Sequence, residues 1–199
     1  GTRFKQAHPI NRDLMEQMLE SCGNDLRGKR NKMLLLLAYE SLRRRSELAS
    51  LRIEDIRFNH DDTCIILLRC SKTDQTSQGS QIFVGKVTTL AIREWLDATH
   101  LENGFLLRGI KGNKLTNGFD TGQICRTFKR LAKICGIDPD TVRYISGHST
   151  RVGAAQDLLQ SGNSLAQIMA KVGWAKVDTV IRYVGLTQMQ GLTLERRLT

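Results

Sequence analysis

Apolar residues recur at helical spacing at both ends of the chain and alternate over short runs between them. Asn11 can cap a helix running through Ser21, and Asp25 can cap the next. The second helix is apolar almost all round, with Met33 followed by Leu34, Leu35, Leu36 and Leu37, so it is expected to run through the core. A short helix is expected over Ser46–Leu51. Between residues 53 and 84 the pattern changes. Ile56–Phe58, Thr63–Leu68 and Gln81–Val84 read as three short strands. Asn59–Asp62 forms the first turn and Ser71–Ser80 a long polar second connection. Helical spacing returns over Thr88–His100, Gly118–Cys135, Thr150–Gln160, Ser164–Lys171 and Val177–Val184, with Gly162 and Gly173 placed as stops. Pro139 reads as punctuation, the Gly-, Asn- and Lys-rich stretch before Gly118 as a loop, and Gln190–Leu198 as a short last helix. The pattern predicts an α+β fold, predominantly helical, with a small three-stranded antiparallel sheet. With no repeat and no linker rich in Pro, Ser or Gly, one domain is expected.

Charge narrows the choice of partner. Thirty Lys and Arg stand against 20 Asp and Glu, a net charge of +10, which points to a polyanion. No apolar run approaches the roughly 18 residues of a membrane span, so no membrane partner is expected. No secretory signal opens the chain. Cys22, Cys64, Cys70, Cys125 and Cys135 are odd in number and include no C-x-x-C pair. They read as reduced thiols of a cytoplasmic protein rather than a disulfide framework or zinc site. His8, His60 and His100 are scattered, and no metal or cofactor is expected.

The candidate chemistry is concentrated in residues 143–183. Ser146-Gly147-His148-Ser149-Thr150-Arg151 places a histidine and an arginine at i and i+3 at the start of a helix, on one face. That pair suits an anionic ligand such as a phosphate. Gly173-Trp174 follows, then Tyr183, whose phenol is a possible nucleophile. Upstream, Arg43-Arg44-Arg45-Ser46-Glu47 reads by itself as a solvated basic turn. On a helical wheel Arg43 and Arg45 point about 100° to either side of Arg44.

The ordered set resembles the tyrosine recombinase, or phage-type integrase, family, and the wording at 146–155 resembles its Cre-like branch. The resemblance spans residues 11 to the C-terminus. It selects Arg44, Lys72, His148, Arg151, Trp174 and Tyr183 as catalytic residues, with Glu47 as their supporting acid. It implies the DNA breaking-rejoining fold and a chain corresponding to the catalytic domain, without the family's N-terminal DNA-binding domain. It also implies metal-free cleavage of DNA through a 3′-phosphotyrosyl link at Tyr183. The arginines would neutralise the scissile phosphate, Trp174 would donate its indole N–H, and Lys72 would protonate the leaving 5′ oxygen. His148 would either accept the tyrosine proton or orient the phosphate. The alternatives are a type IB topoisomerase or telomere resolvase on the same catalytic plan, and a non-catalytic DNA-binding protein that has kept the fold.

Double-stranded DNA is the implied partner. Gln123, Arg126 and Arg130 share a helix face with Lys129 beside them, forming either a major-groove reader or merely a solvated basic face. Arg108, Lys111 and Lys114 are candidate phosphate contacts in the preceding loop. The resemblance further implies a homotetramer on paired DNA sites, a monomer or weak oligomer without DNA, and a nucleoid-associated cytoplasmic protein. The apolar residues Leu192, Leu194 and Leu198 of the 190–199 tail are expected to dock in a groove of the same or a neighbouring protomer.

Overall fold

A computed structural model describes residues 7–69, 79–172 and 174. Its centre is helix α2 (Leu26–Ser41), whose residues Met33 to Ala38 are all buried. That six-residue run has no wet face to orient it and must be covered by neighbouring elements. Helix α2 packs against α1 (Arg12–Glu20), α4 (Lys86–Thr99), α7 (Ser149–Gln160) and the third strand. The carboxylate of Asp25 accepts the Gly28 N–H at 2.8 Å and caps α2, as the sequence predicts. Asn11 likewise caps α1 by accepting from Leu14 N at 3.1 Å.

The short α3 (Arg45–Ser50) leads through a 3-10 turn at Ile53–Asp55 into the sheet of β1 (Ile56–Phe58), β2 (Cys64–Leu68) and β3 (Ser80–Val84). The sheet is antiparallel in the order β1-β2-β3, pairing Phe58 with Cys64 and Cys64 with Val84. Cys64, Ile66 and Leu68 alternate inward and join Ile82, Val84 and Trp95 in the main core. Trp95 on α4 donates its indole N–H to Leu106 O at 2.9 Å, satisfying the one polar atom it carries into the core.

Two elements were not expected. Ile110–Lys111 (β4) and Lys114–Leu115 (β5) pair into a small hairpin within the Gly- and Lys-rich loop. Pro139, read as punctuation, opens the short helix α6 (Pro139–Tyr144) instead. Asp138 caps it through Thr141 N at 2.8 Å, and proline suits a first helical position because the N–H it lacks would have no partner there. Helices α5 (Thr121–Ile134) and α8 (Leu165–Val172) complete the described set. Gly162, at φ 89°, lies just beyond the end of α7, where a stop was expected. Gly173, the helix expected over Val177–Val184 and the Gln190–Leu198 tail lie outside the described residues. So does most of the Ser71–Ser80 connection. Cys22, Cys64, Cys125 and Cys135 are free thiols.

A second apolar cluster joins the end of α2 to α7, α8 and Trp174: Leu42, Ala154, Ala155, Ile168, Val172 and Trp174. The segment ahead of α1 is stitched to the same region by backbone bonds from His8 N to Tyr144 O and from Ile10 N to Ser149 O. Gly153 makes that approach possible, because a Cβ there would lie 1.9 Å from Ile10 O. We expect Gly153→Ala to destabilise the protein by about 3 kcal/mol, since backbone rather than a flexible side chain must yield. Urea denaturation measures this, and an unchanged midpoint would rule out the close approach.

Candidate active site

The three consecutive arginines do not sit on one helix. Chain α2 stops at Leu42, which takes the left-handed conformation at φ 51° while its side chain stays buried at 1 % exposure. A bulky residue pays for that backbone only where its surroundings hold it, and here the second apolar cluster does so. Arg44 is extended and serves as N-cap of α3, so the arginines leave the helix wheel assumed from sequence. The expectation that Arg45 points away from the site is corrected. Its side chain lies along Gly147, where a Cβ would come within 2.7 Å of Arg45 Cδ.

Glu47 organises this turn. It is buried, accepts from Arg44 N at 3.0 Å and from the Arg44 guanidinium at 2.9 Å, and so both caps α3 and fixes the arginine. Arg43 is half-buried beside it. Burial pushes its guanidinium pKa down; Glu47 pulls it up and Arg44 down.

The second wall is the turn 146–149. Ser146 N donates to Ser149 Oγ at 2.9 Å, and His148 N donates to Ser146 Oγ at 3.2 Å. His148 becomes the N-cap of α7 and Arg151 lies in its first turn, the i, i+3 placement expected from sequence. Arg151 is 2 % exposed, and its guanidinium lies 5.5 Å from the centroid of the Trp174 ring. Trp174 is anchored by its backbone N–H, which donates to Met169 O at 3.0 Å.

Electrostatics joins the two walls. The imidazole pKa of His148 is lowered from its ordinary 6.5, first by burial and then by the cations Arg151, Arg45 and Arg44. The fold thus gathers Arg44, Arg45, His148 and Arg151 around one region, with Trp174 on Arg151 and Glu47 on Arg44. It adds Arg45, which the wheel had sent elsewhere. The helix N-terminus contributes its own positive end. Lys72 and Tyr183 lie outside the described residues. An oxyanion is the ligand such a site favours.

The model of the phage integrase family matches residues 9–189. The chain belongs to the phage integrase family. It is similar to the recombinase Cre of Escherichia phage P1, at 29 % identity over 92 % of this chain and 58 % of the relative. Transposase A of transposon Tn554 from Staphylococcus aureus is 25 % identical, over 92 % of this chain and 50 % of its own length. Among solved structures, XerA recombinase shares the fold at TM-score 0.73 and 20 % identity, covering 98 % of this chain and 67 % of that one. The chain spans about half the length of the relatives it matches.

The groups expected to contact DNA are spread over the hairpin and α5. Arg108 donates to three carbonyls, Phe105 O at 3.0 Å, Asn103 O at 3.2 Å and Thr116 O at 3.4 Å, which pins the loop it closes. Lys111 and Lys114 face one another across the β4–β5 hairpin. Gln123 completes the cap of α5 with Asp120, Arg126 is 3.8 Å from that carboxylate, and Lys129 donates to Arg143 O at 3.2 Å. Arg130 is exposed.

A histidine whose pKa is lowered by folding makes the protein acid-sensitive. Below pH 6.5 the unfolded chain binds the proton more readily, so stability drops as pH falls from there toward the folded pKa. We expect His148→Gln to flatten that part of the stability profile. Arg45→Met keeps the contact with Gly147 but removes the charge, and should raise the His148 pKa read by NMR titration. An unchanged pKa would place Arg45 away from the imidazole.

Proposed function

We propose that this chain is the catalytic portion of a site-specific DNA recombinase that cuts and rejoins strands without a metal ion. The convergence of Arg44, His148 and Arg151 on one region, with Glu47 holding Arg44, carries this reading. Double-stranded DNA is its substrate. XerH recombinase bound to its difH substrate and the Tn1549 integrase bound to transposon-end DNA have the same fold.

In this reading Arg44 and Arg151 hold the non-bridging oxygens of the scissile phosphate and offset the charge gained in the transition state. Tyr183 Oη attacks phosphorus and the bond to the 5′ oxygen breaks. The tyrosine proton passes to His148, whose pKa is held below its ordinary value by burial and its cationic neighbours. Lys72 supplies a proton to the leaving oxygen. The products are a 3′-phosphotyrosyl link and a free 5′ hydroxyl. Because the ester bond is conserved, a second 5′ hydroxyl can attack it and reseal the strand without ATP. Trp174 holds Arg151 through its ring and offers its indole N–H toward the phosphate.

Four protomers assemble on paired DNA sites in the cytoplasm, at the nucleoid, and the chain is monomeric or weakly associated without DNA. The tail 190–199 docks through Leu192, Leu194 and Leu198. Arg108, Lys111, Lys114, Lys129 and the α5 face of Gln123, Arg126 and Arg130 provide the DNA surface.

Covalent trapping on nicked duplexes tests the chemistry. An SDS-resistant adduct should map to Tyr183 and vanish in Tyr183→Phe, while Arg44→Ala and Arg151→Ala slow its formation by about 10²–10³-fold. Tight duplex binding without any adduct would leave a DNA-binding protein instead. Removing residues 190–199 should abolish multimers on paired sites in analytical ultracentrifugation. Intact multimers after that deletion would dismiss the docking role of the tail.

A further inference from the structure

Arg30 is 4 % exposed, yet its hydrogen-bond and ring partners are neutral. Its Nε and one terminal nitrogen donate to Asn31 Oδ1 at 3.3 and 2.8 Å, and its guanidinium lies 4.4 Å from the centroid of the Phe119 ring. Among the described residues no carboxylate forms an ion pair with Arg30, Arg27 or Arg130. These three, with Arg126 and Gln123, line an open pocket of about 180 Å³ between the start of α2 and the face of α5. One water needs about 10–15 Å³ of such space, so the pocket has room for a phosphate group with waters beside it. Arg27 is hooked in place by a bond to Ile110 O at 3.2 Å. Arg126 leans toward Asp120 at 3.8 Å, both largely exposed.

A solvated basic face does not bury a guanidinium. Burial without a counter-charge costs folding energy, and a cluster of like charges adds to that cost. Burial, followed by Arg130 and Arg27, pushes the Arg30 pKa down to about 10 against the opposing pull of Asp25. The planar fork is already fixed by Asn31 and Phe119, so little side-chain freedom remains to be lost when an oxyanion arrives.

We propose that Arg27, Arg30, Arg126 and Arg130 form a second phosphate-binding pocket, sharing no residue with the catalytic one, that takes a backbone phosphate of bound DNA. The proposal rests on the DNA-binding part of the function above and not on strand cleavage. A second fixed phosphate, away from the scissile one, sets the register of the duplex on the protein. Arg27 and Arg30 on α2 thereby join the α5 residues in the interface.

The test compares the chain with Arg27→Gln/Arg130→Gln, Arg30→Lys and the charge-matched control Lys86→Gln/Lys171→Gln, after circular dichroism confirms that each is folded. Duplex binding is followed by fluorescence anisotropy across a salt series. The double arginine variant should bind about tenfold more weakly. Its log–log salt slope should be shallower by about 0.9, one phosphate's share. Arg30→Lys keeps the charge but loses the planar fork and should also weaken binding, whereas the lysine control should not. In parallel, inorganic phosphate should raise the melting temperature of the chain above that in chloride of equal ionic strength, and should not do so in the double arginine variant. Equal slopes and equal phosphate stabilisation in chain and variants would overturn the proposal. Phosphate stabilisation lost in the variant with salt slopes unchanged would assign the pocket to a free phosphate and overturn the DNA assignment. If no form binds duplex, the function proposed above fails by itself, and the phosphate measurement alone decides whether the pocket binds anions.

Discussion

A helix whose run from Met33 to Ala38 is buried throughout does not continue into the three consecutive arginines that follow it. Running α2 on beyond Ser41 would drive those charges into the apolar interior that surrounds Met33 to Ala38. The chain resolves the conflict at Leu42. Its side chain stays in the apolar cluster, while its left-handed backbone turns the chain so that Arg43 is left half-buried and Arg44 and Arg45 head toward the 146–149 turn. Everything at the candidate site follows from that turn. Arg44 becomes a helix cap, Glu47 can reach both its backbone and its guanidinium, and Arg45 lands against the 146–149 turn. Leu42 also packs in the cluster that contains Ala154, Ala155 and Trp174, so the same residue ties the bend to the helix carrying Arg151.

The scaffold around this bend is held by backbone proximity as much as by side chains. Gly153 lets α7 touch the segment before α1, and Gly147 leaves room for the stem of Arg45. Both glycines belong to the same short stretch as His148 and Arg151. Their lack of a side chain serves closeness between segments far apart in sequence, which is what brings one cationic wall up to the other.

Much of this was legible in the sequence. The caps at Asn11 and Asp25, the three-stranded sheet and the i, i+3 placement of His148 and Arg151 follow from local rules that the structure obeys. The misses have a common cause. Arg45 was sent away by a helical wheel that assumed α2 or its successor ran through 43–45, and nothing local announces that a leucine will adopt φ 51°. The β4–β5 hairpin has strands of two residues each, too short for alternation to register. Pro139 was ambiguous by nature, since proline both ends helices and begins them, and only the bond from Thr141 N to Asp138 decides between the two. The burial of Arg30 is a tertiary fact: its sequence neighbours reveal neither Phe119 nor Arg130.

The lowered pKa of His148 has a thermodynamic counterpart. The arginines that disfavour its protonated form are the groups an incoming phosphate would neutralise. Once they are neutralised, the imidazole regains affinity for a proton, so anion binding and proton uptake are linked equilibria. The heat of complex formation near neutral pH would then carry a contribution from the buffer, scaling with the buffer's ionisation enthalpy. The site would act as a proton sink whose capacity is set by how completely its cations are paired.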